Sequence, residues 1–361
     1  MPAPARPVDP IDAILALDLG GRGIGAFFTP GAAVAAARAL TGAERVVIVT
    51  GFSVPPGLPE TDGPPGAAVL GRALRLLGAT VHYVTDPAPV APMSAALRAL
   101  GEPPEVIVYP DAPDAARTIL DRTRPTHLIS IERPGRGRTG DYLSARAESI
   151  KAWNLPLDDL FVLTWKLRAG ASANARAGAA GKARSGASGT APGGASGKAS
   201  RQSGKSQVNK SDLMNAARSR RAQATHAGSG LTLGIGDGGN EIGMGSVFSR
   251  VARSGPLMAR IASVVPVDHL VVAGTSNWGA YGIVAALERL HGRALLHTGA
   301  DERRVIERCV EAGAVDGLTR KREPTVDGLA AEVHAGVVDL LHAAAARSSP
   351  GKPAGRGIIG R

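Results

Sequence analysis

The chain has 361 residues, 44% hydrophobic and 3% aromatic, so one large domain or two small ones must be built around Val, Leu, Ile and Ala. Of the formal net charge of +11, nine Lys and Arg residues between Lys166 and Lys210, a stretch without Asp or Glu, supply +9; the remainder offers no nucleic-acid footprint. A single cysteine, Cys309, excludes an intramolecular disulfide and fits a reducing compartment, and no HxH, HExxH or Cys/His zinc spacing occurs.

Near the start, IDAILALDLGG is too short, and too broken by Asp12 and Asp18, to be a signal peptide or a membrane span. The expectation is a cytoplasmic protein with no membrane partner. Beyond it, β-branched apolar runs alternate with helical periodicity. ERVVIVTGFS reads as a strand, and GAAVLGRALRLLGA as a helix that stops at a Gly. TVHYVTD, EVIVYPD and THLISIE read as strands separated by the helices MSAALRALG and APDAARTILDRT. LTLGIGD and DHLVVAGTSN follow as strands, GAYGIVAALERLHG and ERRVIERCVEAGA as helices, and VDGLAAEVHAGVVDLLHAAAA as a closing helix. Cys309, inside one of these helices, suits a small core residue. Such alternation implies an α/β fold: a Rossmann-like, doubly wound, mostly parallel sheet with helices on both faces. Residues 1–346 make one domain in this reading. At 169–206 it is interrupted by a Gly/Ala/Ser-rich segment with interspersed Lys and Arg, which cannot bury enough surface to offset its ordering entropy. A flexible insertion is expected there, and a flexible tail at 347–361.

In open α/β sheets, ligands bind beyond the carboxyl ends of the strands, and those ends are unusual here. In ETDGPPGA, Glu60 and Asp62 stand just before a helix expected to start near Gly66. Asp62 equally suits a helix cap; Glu60 is harder to explain that way. In SIERPGRGRTGDY, Glu132 directly follows an apolar strand. Arg133 and Arg136 offer guanidinium forks for a carboxylate, with a solvated basic loop as the alternative. In GTSNWGAYG, Ser276 and Asn277 are polar candidates beside Trp278 and Tyr281, two of the few aromatics, and core packing is an equal reading for Trp278.

GIGDGGNEIGMG carries a literal GxGxxG at Gly234, Gly236 and Gly239, after a strand and before an expected helix, the form of a dinucleotide fingerprint. Asp237 lies where a pyrophosphate would approach, and like charge opposes it. The stretch therefore reads better as glycines (Gly236, Gly238, Gly239) that let backbone approach a small ligand, while Asp237, Asn240 and Glu241 point side chains at it. Four residues apart, Asp237 and Glu241 would share one face of a helical turn. There they could hold a divalent cation, Mn or Mg, or act as acid and base; Glu241 also suits a first-turn helix acid.

Together, TGFSVPPGLPETDGPPGA, SIERPGR, GIGDGGNEIGMG, SNWGAYG and GAVDG resemble the D-glutamate cyclase C-terminal-domain family, from about Ile11 to Leu340 with the basic segment excluded. Members of that family are similar to an enzyme that converts D-glutamate to 5-oxo-D-proline and water, in which this domain follows a separate N-terminal domain. The resemblance implies a carbon–oxygen lyase with an amino-acid substrate, no obligatory cofactor, and a separate N-terminal cyclase-domain protein as a candidate partner. Ring closure needs a base for the ammonium, an acid for the departing hydroxyl, donors for the oxyanion and a cation for the α-carboxylate. On this reading Arg133, backed by Arg136, holds the carboxylate. Glu241 or Asp237, with Glu132, moves protons, and amides from Gly236 to Gly239 hold the oxyanion. Glu60, Asp62, Asn240, Ser276, Asn277, Trp278 and Tyr281 complete the substrate contacts. Two readings from other classes stand beside it: a nucleotide- or dinucleotide-binding module that uses GxGxxG, and a non-catalytic interaction domain whose basic insertion recruits a partner.

Overall fold

The computed structural model describes residues 8–171 and 230–346. From 172 onward the expected insertion lies outside the described residues, as does the tail at 347–361, while residues 169–171 continue a helix that begins at 159. In chain order the strands are β1 (Arg45–Thr50), β2 (Ser53–Val54), β3 (Leu58–Pro59), β4 (Thr80–Thr85), β5 (Val106–Val108), β6 (His127–Ile131), β7 (Leu231–Gly236), β8 (His269–Val272), β9 (Thr325–Val326) and β10 (Leu329–Ala330).

Val46 to Val49 form an unbroken apolar run in β1, and all four are buried. A strand without alternation is covered on both faces. Successive side chains point to opposite faces, so Val46 and Ile48 join one apolar core while Val47 and Val49 join another. The first core takes Leu70, Met93, Tyr281, Val305 and Val338 from five helices; the second takes Ile119 and Phe161 from two. The six strands read from the sequence make one parallel sheet in the order β5-β4-β1-β6-β7-β8. The chain therefore winds outward on one side of β1, returns, and winds outward on the other. This is the doubly wound order, with its topological switch point between β1 and β6.

Helix Ser276–His291 is buried on every side along its first twelve residues, Ser276 to Leu287, as a helix apolar all round must be. It packs closely on helix Pro64–Leu76: a Cβ on Gly66 would lie 2.9 Å from Asn277 Oδ1. The two helices cap each other. Asp62 accepts the backbone N–H groups of Ser276 and Asn277, both at 2.9 Å. Asn277 Oδ1 accepts those of Gly63 (3.0 Å) and Gly66 (2.8 Å). Asp62 is thus a helix cap, but of the distant helix rather than the one that follows it. Both helix N-termini, with their orphan donors, end up at the same rim of the sheet.

Two departures from the sequence reading matter for the site. The closing helix begins at Ala331, not at Val326: Asp327 (φ 53°) and Gly328 (φ 77°) form a two-residue turn between the antiparallel strands β9 and β10. Positive φ at both central residues is the type I′ hairpin pattern that Asp-Gly favours. Helices Pro10–Leu15 and Ala32–Leu40 also precede the first strand; the Ala-rich composition of the second blurs its apolar periodicity. Cys309 is a buried core thiol, its Sγ 3.5 Å from the Pro92 carbonyl. Among the described residues no helix is long and apolar enough to cross a membrane.

Candidate active site

A cavity of about 70 Å³ opens at the carboxyl-end rim of the sheet. Its walls come from the loops after β1 (Phe52, Val54, Glu60), β6 (Glu132, Ser144, Arg146) and β7 (Asn240), and Arg22, Arg320 and Asp327 close it. This is the switch point at which open α/β sheets bind ligands. The volume suits several waters or one small molecule. It falls well below the roughly 300–1,000 Å³ of sites for drug-sized ligands.

Six carboxyl groups gather in and under this cavity: Glu60, Asp62, Glu132, Asp237, Glu241 and Asp327, all buried. Glu132 turns out of β6 with φ 41°, and Asp327 sits at the hairpin tip with φ 53°. Left-handed backbone costs an L-residue about 1–2 kcal/mol, and such outliers collect at functional sites. Glu132 Oε2 accepts the Ser276 hydroxyl at 2.6 Å. Two triads of acids, Asp62–Asp237–Asp327 and Glu132–Asp237–Glu241, have oxygens within 4.8 Å of one another and share Asp237.

One guanidinium penetrates the cluster. Asp18 accepts the backbone N–H groups of Arg22 (2.8 Å) and Gly23 (2.7 Å), and this turn aims Arg22 inward. Arg22 Nη1 donates to Asp237 Oδ1 at 2.8 Å, and Nη2 donates to Asp327 Oδ1. Burial works against the Arg22 charge, but Asp237 and Asp327 outweigh it and hold its pKa well above the ordinary value.

Burial and crowding act in the opposite sense on the acids. Burial first, then Asp327 and Asp62, pushes Glu60 well above the usual carboxyl range. Burial, then Glu241 and Glu60, does the same to Glu132. Asp237 is also raised well above the range, by burial and neighbouring acids against the pull of Arg22. Asp62 is raised to about 7 by burial and Asp327, against the amides of Asn277 and Ser276. The native state therefore holds protons that the unfolded chain releases from about pH 4 upward. Stability from this source is fully present below that pH and is lost as pH rises through the native values, about 7 for Asp62. In EDTA, which removes stray cations, calorimetry should show a lower unfolding midpoint at pH 8 than at pH 6. A midpoint that climbs over that interval would contradict the cluster as described.

The structure brings Glu60, Asp62, Glu132, Asp237, Asn240 and Glu241 together, and it sends other expected site residues elsewhere. Glu241 does not share a helical face with Asp237, because the stretch after β7 curls back as a loop, and helical backbone resumes only with the 3-10 turn Gly245–Val247 and the α-helix from Phe248. Glu241 accepts the amides of Asp237 (3.2 Å), Gly238 (2.6 Å) and Gly239 (2.8 Å). The glycine-loop amides are thus spent on Glu241 and do not form an oxyanion hole; Gly236 stays in the parallel ladder of β7. Asn240 donates to the Leu143 carbonyl at 2.7 Å while lining the cavity.

Arg133 is wholly buried and donates to the Gly51 carbonyl (2.7 Å), the Leu155 carbonyl (2.6 Å) and Asp86. Arg136 forks onto Asp158 at 2.6 and 3.0 Å and also reaches Asp159. Neither presents its fork to the cavity. Asn277 is a helix cap, Ser276 supports Glu132, Trp278 donates to His334 Nδ1 at 2.8 Å in the core, and Tyr281 donates to Glu302 at 2.9 Å. The sequence reading missed Arg22, Asp327, Arg146 and Arg320. The signals available were an Arg flanked by glycines in LGGRG and the Asp-Gly turn in TVDGL.

The comparisons with known proteins agree with the resemblance seen in the motifs. Residues 11–172 and 199–342 match the family model described as D-glutamate cyclase-like, C-terminal. The chain is 28% identical over 303 residues to the human protein named D-glutamate cyclase, mitochondrial. That alignment covers 79% of this chain but 39% of the human protein, so the chain spans about two-fifths of the relative's length. With its six-stranded doubly wound sheet and the acid-lined rim that carries the family's motifs, the chain belongs to the D-glutamate cyclase-like, C-terminal family.

Proposed function

We propose that the cavity closes D-glutamate to 5-oxo-D-proline with loss of water. The observation that carries this reading is a small cavity that sets the raised carboxyls of Glu60 and Glu132 beside the guanidinium groups of Arg22, Arg146 and Arg320. An amino dicarboxylate brings one ammonium and two carboxylates. Arg146 and Arg320, each engaged among the described residues only through Nη2, keep donors for its carboxylates, while Arg22 stays clamped on Asp237 and Asp327, and the acid cluster suits its ammonium. In the reaction the α-nitrogen bonds to the γ-carboxyl carbon and one carbon–oxygen bond of that carboxyl breaks. The nitrogen gives up two protons, and both end on the departing oxygen, which leaves as water. Glu60 and Glu132, whose carboxyls burial and neighbouring acids hold well above the usual range, relay them. Nucleophile and electrophile share one molecule, so the site needs only to fold the chain into its ring-like conformer.

A dinucleotide-binding reading is disfavoured by the cavity volume and by Glu241, which takes the amides that would cradle a pyrophosphate. The test is to incubate the purified chain with D- or L-glutamate and resolve 5-oxoproline by chiral chromatography. Product from the D enantiomer above the spontaneous rate is expected, and its loss in Arg22→Met. No product from either enantiomer would refute the proposal.

A further inference from the structure

Three of the acids have ligand capacity that the protein leaves unused. Asp237 and Asp327 each give Oδ1 to Arg22, while Oδ2 of each is buried and meets no donor among the described residues. A buried carboxylate oxygen without a partner is costly, and Asp237 is wholly buried and Asp327 nearly so. Asp62 fills Oδ1 with the amides of Gly63 and Asn277, but Oδ2 accepts only that of Ser276, which leaves a lone pair. Each of the three acids offers an oxygen within 4.8 Å of those of the others. Oxygens around one octahedral ion at 2.0–2.1 Å lie about 2.9 to 4.2 Å apart, so the triad must draw in to close a coordination shell. Once ionised to take up an ion, three carboxylates against one guanidinium leave two negative charges, the charge that a dication neutralises.

We propose that Asp62, Asp237 and Asp327 bind a divalent cation through one carboxylate oxygen each. All the ligands are hard oxygens, which suits Mg²⁺ and Mn²⁺ and disfavours soft-ligand metals. Arg22 braces the site: it clamps the other oxygens of Asp237 and Asp327, and so fixes the direction of the lone pairs left for the ion. The strained hairpin tip is then explained, since β9 and β10 carry Asp327 to a place that the sheet strands do not supply. The Asp237–Glu241 pairing suggested by sequence spacing is a weaker site, because Glu241 already receives three amides.

The full chain, stripped with EDTA, is titrated with Mn²⁺ and followed by electron paramagnetic resonance. One bound Mn²⁺ per chain is expected, with Kd at least tenfold weaker in Asp327→Asn. Asn tolerates left-handed backbone and keeps an acceptor for Arg22, so this variant preserves the hairpin. A readout that needs no variant is the parent's unfolding midpoint, which should rise with Mn²⁺ concentration by mass action. Absence of stoichiometric binding in the parent, or equal binding in Asp327→Asn, overturns the proposal. Neither readout depends on turnover: binding without 5-oxoproline production would sink the cyclisation reading alone, and turnover without binding would sink the cation alone.

Discussion

Arg133→Ala is expected to destabilise the fold by roughly 3–5 kcal/mol, the loss typical of a buried ion pair stripped of one partner. Arg133 has no exposed side-chain surface, and its guanidinium ties together the ends of β1 and β4 through Gly51 and Asp86, and the segment at Leu155. Without it Asp86, itself buried, keeps one hydrogen bond at 3.2 Å, from the Leu155 amide, but loses its counter-charge. Urea titration monitored by circular dichroism measures the loss. Arg133→Met combined with Asp86→Leu should recover part of it, because an apolar pair leaves no uncompensated charge. A ligand-binding arginine behaves differently: its replacement leaves a stable protein with a raised KM. That result would return Arg133 to the role its sequence position suggests.

The second large effect concerns Glu132. Glu132→Gln is expected to lower turnover of D-glutamate by about 10²–10⁴-fold, the usual contribution of a positioned proton-transfer group. The same substitution should raise the unfolding midpoint at pH 8. Burial and the neighbouring acids Glu241, Glu60, Asp62 and Asp327 all oppose a charge on Glu132, and an amide carries none. The Gln carbonyl still accepts the Ser276 hydroxyl that now bonds Oε2. Stability gained where activity is lost marks a site held against its own electrostatics. Calorimetry and a product assay on one preparation decide the matter: an active variant, or one several kcal/mol less stable, would contradict it.

The sheet was legible because its strands are short β-branched runs punctuated by Gly and polar loops, a local signal. The rim was legible for the same reason: Glu60, Asp62, Glu132, Asp237 and Asn240 follow strands, and strand ends face one edge. Side-chain direction was not. Glu132 and Arg133 are adjacent, yet the left-handed turn at Glu132 leads one into the cavity and the other beneath the sheet ends. Nothing in ERPGR distinguishes them. Asn277 and Asp62 look like ligand contacts in isolation, but each caps the other's helix, a pairing across 214 positions for Ser276 and Asp62 alone. Arg22 and Asp327 escaped because neither follows a strand of the six-stranded sheet. Arg22 meets Asp237 and Asp327, which lie 215 and 305 positions away, so only the closed fold shows that they share a site.

The central claim is one of place: the ligand sits among Arg22, Glu60, Glu132 and Asp327, and not on the Arg133–Arg136 loop. A crystal structure of the full chain soaked with 5-oxo-D-proline tests it most directly. The account predicts the ring within hydrogen-bond distance of Arg22 and of Glu60 or Glu132. Density for the ligand on the Arg136 loop, or a vacant rim in crystals whose protein binds the compound by calorimetry, would contradict it.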